Sequence, residues 1–438
     1  MTESFEPVRE TRIIGPAQTY MTNPNRHVLY ISYNGMLQPL GQSQVIPYLK
    51  RLAAAGYDFT LLSFEREDAF SDAGRQLCAR LKEELARVNI DWHWLKYHQW
   101  PSLPATAYDV WAGVRFGRRL ARSRSFELVH ARSHIPATMA LRLKKNTNAK
   151  MIFDIRGLLA DEYVDAGHWR KGSTAYRITK KAETEAMHHA DGVVTLTERI
   201  WPIIREWNGL RGRAVSHEVI PCCADLERFS FSDEARVARR QMLEVEDRFV
   251  VVYSGSIDGW YLTEEMADFF ATLRREKSNA LLLWLTQSKH ERIKELMKSR
   301  GIEDRDFRIV SSSPQEVPAY LAAGDAGLAF IKPCFSKLAS SPTKYAEYLG
   351  CGLPLIINAG VGDSDALVTE HRAGVLISDF TEDCYRKAIK DLTPLLDQPE
   401  DTRRRMRQIA GQLFDLDEVG VAAYVRLYHR VLGESSSQ

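Results

Sequence analysis

At 438 residues the chain is long enough for two domains, and a composition of 45% hydrophobic, 26% charged and 10% aromatic residues excludes wholesale disorder. A formal net charge of +2 argues against a dedicated nucleic-acid binder. No run approaches the ~20 apolar residues that span a bilayer. The six cysteines form no Cys-x-x-Cys pair and are expected as free thiols in a reducing cytoplasm.

Residues 1–26 have neither an apolar h-region nor a cleavage pattern and are expected as a loose N-terminal arm. The run 27–32 (HVLYIS) reads as a buried strand, 33–44 as a Gly/Pro-punctuated loop, 45–55 as a helix and 59–64 as a second strand. Gly41 stands where the loop turns into the helix. A glycine there serves either the turn itself or a phosphate-bearing ligand that approaches the backbone. Neither G-x-G-x-x-G nor G-x-x-x-x-G-K-[ST] occurs, so the dinucleotide and ATP fingerprints are absent. The alternation continues through helices near 70–87, 106–123 and 136–145 and strands at 90–95, 128–131, 151–155 and 192–196, with Thr197 opening a further helix. Repeated strand–helix order with apolar strands predicts a doubly wound sheet whose ligands sit beyond the strands' carboxyl ends. Those ends carry His130 and His134, and Asp154 to Gly157 with Arg156 among them. Each histidine is read equally as a site residue or an ordinary packed one, and Arg156 equally as a phosphate partner or a structural ion pair.

After 217–229 (HEVIPCCADLERF) the pattern restarts, with strands at 249–253, 280–285, 307–310, 328–331 and 355–357 and a weak one near Val375. The stretch 335–357 (FSKLASSPTKYAEYLGCGLPLII) is the densest in signals. Ser341 and Pro342 read as N-cap and first helical residue. Lys344 and Glu347, three apart, share one face. Gly350, Gly352 and Pro354 end the helix before a buried strand. A helix N-terminus with Thr343 and a lysine in its first turn suits a diphosphate, and a carboxylate one turn later suits a ribose. A merely structural helix is the competing reading.

The segment SPTKYAEYLGCGLPLI resembles the donor-binding segment of GT-B glycosyltransferases of family 4, and Ile220, Pro221, Asp225 and Phe229 resemble that family's domain boundary. The resemblance implies two doubly wound α/β Rossmann-like domains facing across a cleft, with an amphipathic C-terminal helix returning to the first. The expected division is an arm 1–26, an acceptor-side domain 27–220, a nucleotide-sugar domain 221–415, and a crossover helix with tail 416–438. It also implies a retaining transfer of a sugar from a nucleotide sugar to a hydroxyl acceptor.

On this resemblance Gly41, Gly255, Ser256, Ser341, Thr343, Lys344 and Glu347 are expected at the donor. His130 and Arg156 are expected at the reacting centre, and His134 and Glu162 on the acceptor side. The segment 153–163 (FDIRGLLADEY) is similar to one in a bacterial branch that builds surface polysaccharides. Two departures stand out. The loop after Gly255 (GSIDGWYLTEE) lacks the arginine and lysine that the family places on the pyrophosphate, with Trp260 and Tyr261 there instead. The position eight before Glu347, acidic in the family, is Ala339.

Asp363-Ser364-Asp365 looks like a metal motif of another glycosyltransferase fold, but its place before an apolar helix favours capping, and no metal or cofactor is expected. Arg115, Arg118, Arg119, Arg122 and Arg124 follow Trp111. They are read as a solvated face or as a peripheral contact with the inner face of an anionic membrane. The expected partners are a nucleotide sugar and a glycan or lipid-linked acceptor. The rival functions are a nucleotide-sugar epimerase and a non-catalytic nucleotide-sugar binder.

Overall fold

The computed structural model describes residues 26–100 and 102–433, so of the expected N-terminal arm 1–26 only Arg26 lies within it, and 434–438 lie outside. The first sheet comprises β1 (Arg26–Ser32), β2 (Tyr57–Glu65), β3 (Ile90–Lys96), β4 (Leu128–Arg132), β5 (Lys150–Asp154), β6 (Gly192–Thr195) and β7 (Ser216–Val219). Their order is β3-β2-β1-β4-β5-β6-β7, and every pairing is parallel. The second sheet comprises β8 (Phe249–Ser254), β9 (Ala280–Leu285), β10 (Phe307–Val310), β11 (Ala326–Ala329), β12 (Leu355–Asn358) and β13 (Gly374–Ile377). It is ordered β10-β9-β8-β11-β12-β13, again all parallel. This is the two-domain architecture that the resemblance implies.

The apolar strand runs are continuous because helices cover both faces of each sheet. Val28, Tyr30 and Leu61 face one core of the first domain and Leu29, Ile31 and Leu62 the other. The same alternation in β8 sends Val250 and Val252 to one core and Val251 and Tyr253 to the opposite one. The chain crosses between domains twice, side by side. Ala224 N–H donates to Phe414 O at 2.9 Å, and Leu416 N–H donates back to Ala224 O at 3.1 Å. After a π-helical turn at Leu416–Val421, the helix Ala422–Leu432 lies on the first domain. Val425, Leu427 and Tyr428 are fully buried there, in the core that holds Tyr57 and Ile152.

Some boundaries shift. The expected helix at 45–55 is Ile46–Ala54, while the expected loop at 33–44 holds a short helix of its own, Pro39–Gln44. Thr197 opens no helix, since the next one is Trp201–Arg205, and the strand expected at 328–331 is Ala326–Ala329.

Candidate functional site

In each sheet the strand order reverses beside its first strand, at β1 next to β4 and at β8 next to β11. Crevices for ligands open beyond the carboxyl ends of strands at such points. Between them lies a cavity of about 490 Å³. The first domain contributes Pro39, Gln42 and Ser43 to its wall. The second contributes Arg228, Phe229, Ser254, Gly255, Ser256, Thr286, Gln287, Ser312 and Glu347.

Lys344 lies in the first turn of the helix Thr343–Gly350, where backbone N–H groups have no helical partner. It is 6% exposed and its Nζ has no hydrogen-bond partner among the described residues. The ammonium instead lies 4.3 Å from the ring centroid of Tyr253 and 3.8 Å from that of Tyr261. Burial pulls its pKa down to about 7, against the attraction of Glu347. Gly255 stands opposite with φ +136°, and a Cβ there would come 2.9 Å from Nζ. The backbone conformation therefore favours glycine, and its lack of a side chain leaves room for the lysine end. Glu347, partly open to the cavity, is pushed up to about 7 by burial, with Lys344 opposing. An unpaired cation, a helix N-terminus and a glycine loop converge here, the ingredients of a receptor for phosphate. The carboxylate one turn on is placed to accept hydroxyl donors. Thr343 opens the helix half-buried, and Ser256 is exposed at the rim, its carbonyl accepting the Tyr253 hydroxyl.

Other expectations change. Ser341 caps no helix. Pro342 is the N-cap, with no side-chain bond, and Ser341 Oγ accepts the N–H of Cys222 at 3.1 Å across the hinge. Gly41 lies inside the helix Pro39–Gln44, where a Cβ would overlap the Gly35 carbonyl oxygen and stand 2.7 Å from Met36 Cα. It serves chain packing, while its neighbours Pro39, Gln42 and Ser43 form the cavity wall. The amides of that loop are also engaged, since Glu65 accepts from Met36 N at 2.6 Å and Leu37 N at 3.4 Å.

His130 is wholly buried, with Nδ1 2.7 Å from Tyr428 Oη and Nε2 3.5 Å from Asp154 Oδ2, and burial lowers its pKa. It ties the sheet to the terminal helix and has no free nitrogen for a substrate. His134 is likewise buried, with Nε2 2.8 Å from Glu183 Oε2. It belongs to the packing of its helix and not to an acceptor surface. Arg156 packs against the connection between the domains and is not among the residues that line the cavity. Its Nη2 lies 3.4 Å from Cys222 Sγ and its Nη1 3.6 Å from Asp154 Oδ1. Glu162 faces the second domain, where Lys337 donates to its Oε1 at 2.9 Å.

The acidic triplet works differently from a cap on its own helix. Asp363 accepts the N–H groups of Glu198 at 2.8 Å and Arg199 at 3.1 Å, so it caps a turn of the other domain. These contacts border a second cavity of about 630 Å³ behind the same helix, against Tyr345. That cavity has no share in the Lys344–Glu347 pair.

Sequence reasoning missed the cage of Tyr253 and Tyr261 and the lining residues Thr286, Gln287, Ser312 and Arg228. It also missed Asp154 as the hub beneath the cleft. Burial pushes that carboxyl up, but Arg156, His130 and Arg132 hold it well below the usual range. Only their positions after apolar strands carried any signal.

Residues 44–223 match a family described as glycosyl transferase 4-like domain, and residues 235–412 match glycosyl transferases group 1. No curated protein matches the chain. Among solved structures it is similar to sucrose-phosphate synthase from Thermosynechococcus elongatus, with 16% identity and a TM-score of 0.72 over 94% of this chain and 100% of that one. It is also similar to a glycosyltransferase from Rickettsia africae, with 12% identity and a TM-score of 0.70 over 94% of this chain and 100% of that one. The HepE protein of Anabaena in complex with UDP is similar at 16% identity and a TM-score of 0.67, over 92% of this chain and 99% of that one.

Proposed function

The chain is a glycosyltransferase, a glycosyl transferase 4-like domain followed by a glycosyl transferases group 1 domain, and we propose that it moves a hexosyl group from a nucleotide sugar to a hydroxyl acceptor with retention. The observation that carries this reading is Lys344, a buried ammonium with no hydrogen-bond partner among the described residues, aimed at Gly255 in the interdomain cavity. The donor diphosphate supplies the missing acceptors at Lys344 and the helix N-terminus. Glu347 takes the ribose hydroxyls. These groups compensate for the arginine and lysine absent after Gly255. No cofactor or metal is required in this reading.

In the transfer, the bond from the anomeric carbon to the phosphate oxygen breaks and its electron pair stays on the diphosphate. The acceptor oxygen bonds to the anomeric carbon on the same face, and its proton passes to the departing phosphate oxygen. A protein base is not demanded, which agrees with His130 being enclosed. A glycosidase-like carboxylate pair is not needed either.

The acceptor in this reading is a lipid-linked glycan or polysaccharide precursor, met at the inner face of a membrane. The helix Ser102–Ser123 supports it. No ion-pair partner is found among the described residues for Arg115, Arg118, Arg119 or Arg122, and Trp100, Tyr108 and Trp111 are 83%, 53% and 58% exposed. Arginines with exposed aromatic side chains suit an anionic bilayer surface. No helix among the described residues is long and apolar enough to cross a membrane.

Incubation with labelled sugar nucleotides, with and without membrane lipid extract, tests the proposal. Label transferred to lipid is the expected result. Isomerised donor without acceptor would establish an epimerase, and binding without turnover would establish a non-catalytic binder.

A further inference from the structure

The cavity of about 630 Å³ behind the helix Thr343–Gly350 is walled by both domains. The first domain supplies residues 196–199 after β6, with Val219 after β7. The second supplies Tyr345 and most of the segment 361–371. Leu196, Val219, Leu413 and Phe414 form its apolar part. A cavity of this size between two domains, apolar with a few polar groups, has the form of a ligand pocket.

Two hydroxyls in the wall lack what their neighbours have. Thr197 Oγ1 donates to Leu338 O at 2.6 Å and Thr369 Oγ1 to Asp365 O at 2.9 Å. Tyr345 and Ser364 are each 2% exposed, and neither hydroxyl has a hydrogen-bond partner among the described residues. A buried hydroxyl left unpaired is costly, and a polar ligand atom beside it removes the cost.

The charge of the wall selects the ligand. Glu198, Asp363, Asp365 and Glu370 stand in it, and among the described residues Arg199 is its only arginine or lysine. Asp365 Oδ2 already holds Arg199 at 3.2 Å, and Asp363 is taken by the N–H groups of Glu198 and Arg199. The carboxylates of Glu198 and Glu370 have no ion-pair partner among the described residues. Burial, and then the charges of Asp363 and Glu218, push the Glu198 carboxyl up. Such a wall repels nucleotides and sugar phosphates and attracts a cation.

We propose that this cavity is a second ligand site, for a small organic amine. Its ammonium meets Glu198 and Glu370, its apolar body packs on Leu413 and Phe414, and a polar group reaches the hydroxyls of Tyr345 and Ser364. The two carboxylates come from opposite domains, so the ligand bridges them. The site is separate from the cavity that Glu347 lines and does not depend on the donor reading.

Calorimetric titration of the full chain with aminohexanol, hexylamine, hexanediol and hydroxyhexanoate tests the proposal. Aminohexanol is expected to bind best. Hexanediol should be about tenfold weaker and hexylamine about fivefold weaker, the scales of a charged and a neutral hydrogen bond. The anionic hydroxyhexanoate should not bind. Glu198→Gln and Glu370→Gln should each cost aminohexanol about tenfold and leave hexanediol unchanged. Tyr345→Phe combined with Ser364→Ala should erase the advantage of aminohexanol over hexylamine. Those two hydroxyls have no protein partner to lose, so this variant should melt at or above the wild-type temperature, and melting curves check that the others are folded. Binding by none of the probes, affinities indifferent to their charge, or affinities unmoved by the substitutions would each reduce the cavity to a water-filled gap. Displacement of aminohexanol by UDP would place it in the other cavity and equally overturn the proposal.

Discussion

Tyr424 donates its hydroxyl to Asp154 Oδ2 at 2.9 Å, joining the returning C-terminal helix to the floor of the cleft. Asp154 also lies 3.7 Å from Arg132 Nη1 and 3.6 Å from Arg156 Nη1. One buried carboxylate therefore fixes an arginine that packs against Cys222 of the connection between the domains and the helix that follows the second crossing. His130 adds a parallel tie through Tyr428.

Removing the ties should cost stability before it costs binding. Tyr428→Phe leaves a buried imidazole nitrogen without its partner, a loss of roughly 1–3 kcal/mol. Tyr424→Phe should cost a similar amount. Chemical denaturation gives both values, and donor affinity in the variants should stay within about twofold on the same reasoning. A His130→Gln variant that kept its stability but lost turnover would restore His130 as a catalytic residue.

Lys344 carries a pH signature. Its pKa in the empty protein is about 7, against an ordinary 10.5, because of burial. A bound diphosphate holds it protonated, so above pH 7 binding takes up a proton. Affinity should therefore fall as pH rises from 7 to 9, by at most about tenfold per pH unit. Titrations at pH 8 in buffers of different ionisation enthalpy measure the uptake. In Lys344→Met the uptake should vanish and diphosphate affinity should drop, while nucleoside affinity persists. Equal losses for nucleoside and diphosphate would remove the phosphate role.

The fold was legible because each strand is a short apolar run followed by a helical period, and because 335–357 carries its helix stop in Gly350, Gly352 and Pro354. The site was legible where chemistry is local, as with Lys344 and Glu347 one turn apart. It was not legible where the partner is remote. Ser341 looks like a cap until Cys222 takes its hydroxyl, and Gly41 looks like a phosphate turn until Gly35 and Met36 fill the space. His130 and His134 follow a strand as site residues do, yet Tyr428 and Glu183 claim them from distant parts of the chain.

Glu347→Gln separates affinity from stability. Burial raises the folded-state pKa of Glu347 to about 7 from an ordinary 4.5. Its contribution to stability is thus present below pH 4.5 and lost as pH rises through 7. Glutamine is neutral throughout, so at pH 8 the variant should melt at or above the wild-type temperature while binding nucleotide more weakly. A large melting loss with normal affinity would make Glu347 structural.

The helix Ser102–Ser123 predicts membrane partitioning that depends on charge. Flotation with vesicles rich in phosphatidylserine should carry the protein up, and purely zwitterionic vesicles should not. Each arginine near the surface contributes about 1 kcal/mol, so Arg118→Gln with Arg119→Gln should weaken partitioning roughly thirtyfold. Trp111→Ser should weaken it in both low and high salt, because its share is apolar. Equal recovery on both kinds of vesicle would leave these arginines as a solvated face.

Ala339 stands where the resembled family has an acid, and the fold explains why the acid is gone. The residue is 1% exposed among first-domain core side chains such as Phe153 and Leu158. Restoring a carboxylate would bury an unpaired charge, at a cost of about 3–5 kcal/mol, or expel the turn Phe335–Ala339 from the seam and separate Lys337 from Glu162. Ala339→Glu should therefore lower stability by that amount, speed proteolysis near residues 332–340, and leave donor affinity no higher than wild type. Ala339→Gln has nearly the same bulk without the charge and should lose clearly less. If Ala339→Glu were as stable as wild type and bound a sugar nucleotide more tightly, packing against the first domain would not be the reason for the missing acid.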